Sequence, residues 1–83
     1  MVVKLLDFYA DWCGPCKTQD PILEEFVEET GIELEKIDID DNQTRAGEYD
    51  VRSIPTLIMI DENGEEVDRF IGVTQKDTLV DAL

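Results

Sequence analysis

Cys13 and Cys16 are the only cysteines of the chain and stand two residues apart in the run Trp12-Cys13-Gly14-Pro15-Cys16. Thiols at this spacing can close to a disulfide and reopen to a dithiol, so the pair is a candidate two-electron redox couple. An apolar run precedes the motif and an amphipathic run follows it, which puts the cysteines at the start of a helix. A helix N-terminus offers unpaired N–H groups and the positive end of a dipole to a thiolate.

Other uses of a cysteine pair fit less well. Zinc usually needs four Cys, His or carboxylate ligands, and the chain has no His and no second Cys pair. No metal is expected within one chain, although a site shared between chains is conceivable. As a structural staple so short a loop contributes about 2 kcal/mol by loop entropy, against ~3–5 kcal/mol for longer loops. Two buried, inert thiols are a further alternative, but Gly14 and Pro15 favour an exposed turn.

The elements that must position the pair follow from periodicity and turn signals. Val2 to Ala10 is nearly continuous apolar, as expected of a strand covered on both faces. Gly14 to about Thr30 reads as a helix with Ile22, Leu23, Phe26 and Val27 in one stripe and Gly31 as its stop. Pro21 inside it is expected to kink it. Ile32 to Asp40 reads as a second strand, parallel to the first by the right-handed crossover rule. A weak helix over Gln43–Tyr49 starts at Asp41 or Asn42 and is weakened by Gly47. Thr56–Ile60 and Glu66–Ile71 flank the hairpin loop Asp61-Glu62-Asn63-Gly64. Thr74 to Leu83 closes the chain as a helix, with Thr74 and Asp77 spaced as a variant capping box. The order βαβ-α-ββα predicts an α/β fold, one four-stranded mixed sheet with helices on both faces. Residues 1–83 are expected to form one domain. A chain of 83 residues buries about 60–65% of its unfolded surface, enough for a single, marginal core.

Twenty-one acidic against seven basic residues give a formal net charge of −14. That charge argues against nucleic acid and anionic membranes as partners, and its self-repulsion favours a monomer. The plain reading is a well-solvated surface. A sharper one is halophilic adaptation, because screening shortens to about 3 Å at 1 M salt. No apolar stretch approaches the roughly eighteen residues of a membrane span, and no charged-then-apolar signal precedes the first strand. The expected location is a reducing cytoplasm, where a lone Cys-x-x-Cys cycles rather than staying locked.

The run Asp7-Phe8-Tyr9-Ala10-Asp11-Trp12-Cys13-Gly14-Pro15-Cys16-Lys17 resembles the active-site segment of the thioredoxin family. Further matches follow in order: Pro21, Lys36 ahead of Ile39-Asp40, Ile54-Pro55-Thr56, Asn63-Gly64 and Gly72. Glutaredoxins usually carry Pro-Tyr between the cysteines, and oxidase or isomerase relatives often carry a His there. The chain also departs from the family. Nothing corresponds to the strand and helix that usually open a thioredoxin, the chain ends a turn or two early, and Tyr9 stands where many members have Trp. The resemblance therefore implies a minimal thioredoxin fold with one sheet edge less protected.

The resemblance further implies a thiol–disulfide oxidoreductase acting as a general protein-disulfide reductase. Its partners would be disulfide-containing proteins and a thioredoxin reductase, and its one redox group would be the Cys13–Cys16 disulfide, with no other cofactor. Cys13, at the helix start, is expected to be the more exposed thiol and the nucleophile. The dipole acts on it at contact range, whereas the surface acids are screened. Cys16 then resolves the mixed disulfide. Asp7 lies in an apolar central strand, where a carboxylate is costly unless paired or neutral. It is either a packing or edge residue or, as the resemblance supports, the buried group that takes the Cys16 proton. Lys36 is its candidate partner, or else a lysine reaching solvent from the strand end. Pro55 at a strand start is ordinary, but the resemblance implies a cis Ile54–Pro55 bond facing the cysteines. Trp12, Gly14, Pro15, Ile54 and Gly72 would complete an apolar surface for an extended substrate segment.

Two other functions compete with this one. A glutaredoxin-like carrier drawing on a low-molecular-weight thiol suits the short architecture, but the Gly-Pro pair and the lack of a basic pocket for a glutathione carboxylate speak against it. A non-catalytic scaffold has no need of a redox pair.

Overall fold

The computed structural model describes residues 1–83, which form β1 (Val2–Tyr9), α1 (Gly14–Thr30), β2 (Glu33–Asp38), α2 (Gln43–Glu48), β3 (Thr56–Asp61), β4 (Glu66–Ile71) and α3 (Lys76–Asp81). The strands lie in the order β2-β1-β3-β4. β1 runs parallel to β2 and antiparallel to β3, and β3 runs antiparallel to β4. This is the four-stranded mixed sheet that the element order predicts, with β1 central and doubly covered.

Period-two alternation sends the apolar residues of β1 and β3 to two cores. Leu5, Leu57 and Met59 pack with Leu23 and Phe26 of α1 and Leu79 of α3 on one face. Leu6, Phe8, Ile58 and Ile60 pack with Ile37 and with Ala46 of α2 on the other. Each large side chain fully buried in this way contributes about 1.5–3 kcal/mol. Helices thus cover both faces, α1 and α3 on one and α2 on the other.

Local signals place the ends of α1. Pro15 sits in the first turn, where its missing N–H has no helical partner to lose. Gly31 ends the helix at φ 73°, a left-handed conformation that side chains disfavour, and its N–H closes on the Val27 carbonyl at 2.8 Å. The helix runs unbroken through Pro21.

The end of β2 and the start of α3 differ from the sequence reading, each because a polar side chain is engaged there. β2 is shorter than Ile32–Asp40, because Asp38 starts a turn. Its Oδ1 accepts the Asp40 N–H at 2.9 Å and its carbonyl accepts from Asn42 Nδ2 at 3.0 Å. Asn42 therefore occupies the N-cap position of α2 without capping it. α3 begins at Lys76 rather than Thr74, with Gln75 as its N-cap, and the Thr74/Asp77 capping box does not form. Thr74 is held instead by the fully buried Gln19 of α1. Gln19 Oε1 accepts the Thr74 N–H at 2.7 Å and its Nε2 donates to the Thr74 carbonyl at 2.9 Å. Both ends of a buried amide are satisfied, which makes its burial tolerable. The Thr74 hydroxyl donates to the Gly72 carbonyl.

Candidate active site

Leaving β1, the chain turns through Ala10–Trp12, with the Cys13 N–H donating to the Ala10 carbonyl at 3.1 Å. Cys13 is the N-cap of α1, with extended backbone at φ −90° and ψ 108°. Its Sγ accepts the N–H of Cys16 at 3.1 Å, the role a Ser or Asp oxygen usually fills at an N-cap. A disulfide joins Cys13 to Cys16, with the Cα atoms 5.3 Å apart. Gly14 and Pro15 between them are exposed.

In this closed form the two residues are nearly equally buried, at 4% and 3% exposed. What separates them is environment. Cys13 has the helix N–H, whereas Cys16 lines a cleft of about 210 Å³ together with Tyr9, Ala10, Asp11, Lys17, Asp20 and Lys36.

The residues singled out for substrate contact lie at this same end of the sheet. Trp12 is 69% exposed, and its indole N–H donates to Asp40 Oδ2 at 2.9 Å. Ile54 packs against the small cluster of Ala10, Cys13 and Cys16. The Ile54–Pro55 peptide is cis. Pro55 is buried, and its carbonyl accepts the N–H of Gly72 at 2.9 Å. Gly72 holds φ 89°, which a side chain would strain. Ile71 and Val73 on either side of it are exposed, an apolar extension that the sequence reading did not single out.

In β1, Asp7 is 1% exposed and neither carboxylate oxygen has a hydrogen-bond partner. Burial raises its pKa, Lys36 pulls it back down and Asp20 raises it again, leaving it at about 6. Lys36 sits opposite Asp7 in the β1–β2 register. Its ammonium, however, pairs with Asp20 Oδ1 at 3.0 Å and lies 4.5 Å from the centre of the Tyr9 ring. Lys36 acts on Asp7 by charge without touching it, and its side chain reaches outward to Asp20. Burial opposes the Lys36 charge, but Asp20, Asp7 and Tyr9 together hold its proton more tightly than in an ordinary lysine. Asp20 and Gln19 escaped the sequence reading, and Asp40 appeared there only as a match to the family. The available signal for Asp20 was its spacing, four residues after Cys16 and so on the same face of α1.

No group of three or more His, Cys, Asp or Glu side chains is arranged to hold a metal ion, and no helix is long and apolar enough to cross a membrane.

Comparison with known proteins agrees with this geometry. The family model Thioredoxin matches residues 2–83. A thioredoxin of Pyropia yezoensis is 51% identical over 81 residues, covering 95% of this chain and 75% of that protein. A thioredoxin of Bacillus subtilis is 49% identical over 79 residues, covering 93% of this chain and 75% of its own length. Among solved structures, a mutant thioredoxin from Halobacterium salinarum superposes with a TM-score of 0.87 at 45% identity, over 94% of this chain and 68% of that one. With its disulfide at the head of α1 and this match along nearly its whole length, the chain belongs to the thioredoxin family of thiol–disulfide oxidoreductases.

Proposed function

We propose that the chain is a general protein-disulfide reductase in which Cys13 attacks and Cys16 resolves. The observation that carries this reading is the Cys16 N–H directed at Cys13 Sγ, a donor already placed for negative charge on that sulfur. The Cys13 thiolate attacks one sulfur of a target disulfide, forms a mixed disulfide and expels the other sulfur as a thiolate. Cys16, having lost its proton to Asp7, attacks the Cys13 sulfur. The Cys13–Cys16 disulfide closes, the second target thiolate leaves, and two electrons have passed to the target. Lys36 tunes Asp7 by charge. Trp12, Gly14, Pro15, Ile54, Pro55 and Gly72 form the surface for an extended segment, with the Ile54 backbone pairing to it in strand fashion.

Family membership supports disulfide-bearing proteins as substrates and a thioredoxin reductase as electron donor, with the Cys13–Cys16 pair the only redox group required. The chain then acts as one domain over residues 1–83, as a monomer, in a reducing cytoplasm. Recycling tests the reading against the glutaredoxin-like one. With NADPH and a thioredoxin reductase the oxidised chain should turn over a polypeptide disulfide many times, whereas glutathione should support only slow turnover. Efficient recycling by glutathione alone would favour the carrier instead.

We further propose that the −14 charge adapts the fold to salt. Screening relieves repulsion among the surface acids, so the urea midpoint should rise between dilute buffer and molar KCl. A flat or falling midpoint would reduce the acidity to a solubility feature.

A further inference from the structure

Asp7 and Lys36 face each other across β1 and β2 yet do not touch. Adjacent strands lie about 4.8 Å apart, and a lysine side chain is long enough to cross that distance to a register neighbour. The ammonium is instead turned outward, to Asp20 Oδ1 at 3.0 Å, with the Tyr9 ring beneath it. Asp20 lies one helical turn beyond Cys16, and Cys16, Asp20 and Lys36 line the same cleft. Both oxygens of Asp7 are left without a partner.

We propose that Asp20 is a positioning residue for the resolving step: it holds Lys36 at the cleft wall, away from Asp7, and so leaves the Asp7 carboxylate free to take the Cys16 proton. This rests on the reading of Asp7 as the base for Cys16. A carboxylate paired directly with an ammonium is stabilised in its charged form and becomes a weaker base. A base works best when its proton affinity approaches that of the group it deprotonates. By engaging the ammonium, Asp20 keeps Asp7 nearer to the thiol it serves.

The surroundings leave few competitors. Around the cleft, β1 and the turn after it supply Tyr9 and Asp11, α1 supplies Cys16, Lys17 and Asp20, and β2 supplies Lys36. From β3 the register partner of Asp7 is Leu57, which carries no charge. Lys36 and Asp20 are the two charges that act on Asp7, in opposite directions. An exposed ion pair of this kind is worth little to stability, so a change in proton affinity is separable from a change in folding.

The test follows the Asp7 carboxyl by carbon NMR against pH in the full chain, together with the rate at which a preformed Cys13 mixed disulfide resolves. Asp20→Asn should move the Asp7 midpoint from about 6 down toward the ordinary carboxylate range and slow resolution several-fold near neutral pH. Asp20→Glu should restore both. In a Lys36→Met background, Asp20→Asn should lose most of its effect on the midpoint. An Asp7 midpoint unmoved in Asp20→Asn, or one that moves equally without Lys36, overturns the positioning role. If Asp7→Asn resolves at the wild-type rate, the base reading itself falls and takes this role with it. A slow Asp7→Asn beside an unmoved midpoint in Asp20→Asn removes the positioning role alone.

Discussion

A Cys13→Ser chain should reduce protein disulfides at least about a thousand-fold more slowly than wild type, because a hydroxyl neither ionises near neutral pH nor forms a stable bond to a target sulfur. Cys16→Ser should behave differently. It keeps the attacking thiol and loses the resolving one, so it should accumulate as a covalent adduct with its target, visible as an added mass that dithiothreitol removes. The asymmetry comes from helix geometry. Cys13, as the N-cap, receives the N–H of Cys16 on its sulfur, while Cys16 sits one turn in, against the cleft. Neither substitution should unfold the chain, since the disulfide spans a single turn and adds about 2 kcal/mol. Turnover by Cys16→Ser at the wild-type rate, or adduct formation by Cys13→Ser through Cys16, would reverse the assignment.

Asp7→Asn should raise stability near pH 8 by about 3 kcal/mol and slow the resolution of mixed disulfides. The amide stands in for the protonated carboxyl and removes the cost of a buried charge. The pKa of Asp7 rises from an ordinary 3.8 to about 6. At about 1.4 kcal/mol per pH unit this is a penalty of about 3 kcal/mol on the folded state once the group ionises. The folded chain holds this proton more tightly than the unfolded chain. The stability the proton confers is therefore complete below about pH 3.8 and is lost as pH rises to about 6. Urea unfolding of the oxidised proteins between pH 4 and pH 8 checks this. The two curves should converge at the acid end and separate through the interval. A gap of constant size would mean that Asn changes packing rather than charge, and that Asp7 is not buried as an acid. A protein that keeps so costly a residue in its central strand uses it, which is why the same substitution should impair catalysis.

The sequence was most legible where the governing contacts are local. Pro15 and Gly31 bracket α1 to the residue, because each acts on its own turn. The apolar run of β1 and the alternation of β3 sufficed for the sheet, because burial on two faces leaves few other patterns. Legibility failed where residues distant in sequence compete for one partner. Thr74 carries a capping signal, but Gln19, far back in the chain, takes its N–H and its carbonyl, and α3 starts two residues late. Lys36 shows only that a cation faces the α1 side of the sheet. Which carboxylate it meets depends on Asp20 reaching it first. The cis peptide at Ile54–Pro55 has no local signature at all and was implied only by resemblance.

The central claim is that Cys13 and Cys16 form a couple that donates electrons to protein disulfides, and its most direct test is the reduction potential of that couple. The chain is equilibrated in dithiothreitol redox buffers and followed by the fluorescence of Trp12, the residue beside Cys13 and the only tryptophan. A potential near the value known for thioredoxin, about −270 mV, is the expected result. A potential a hundred millivolts more oxidising, about 4.6 kcal/mol for two electrons, would make the couple an acceptor rather than a donor and would contradict the reductase assignment.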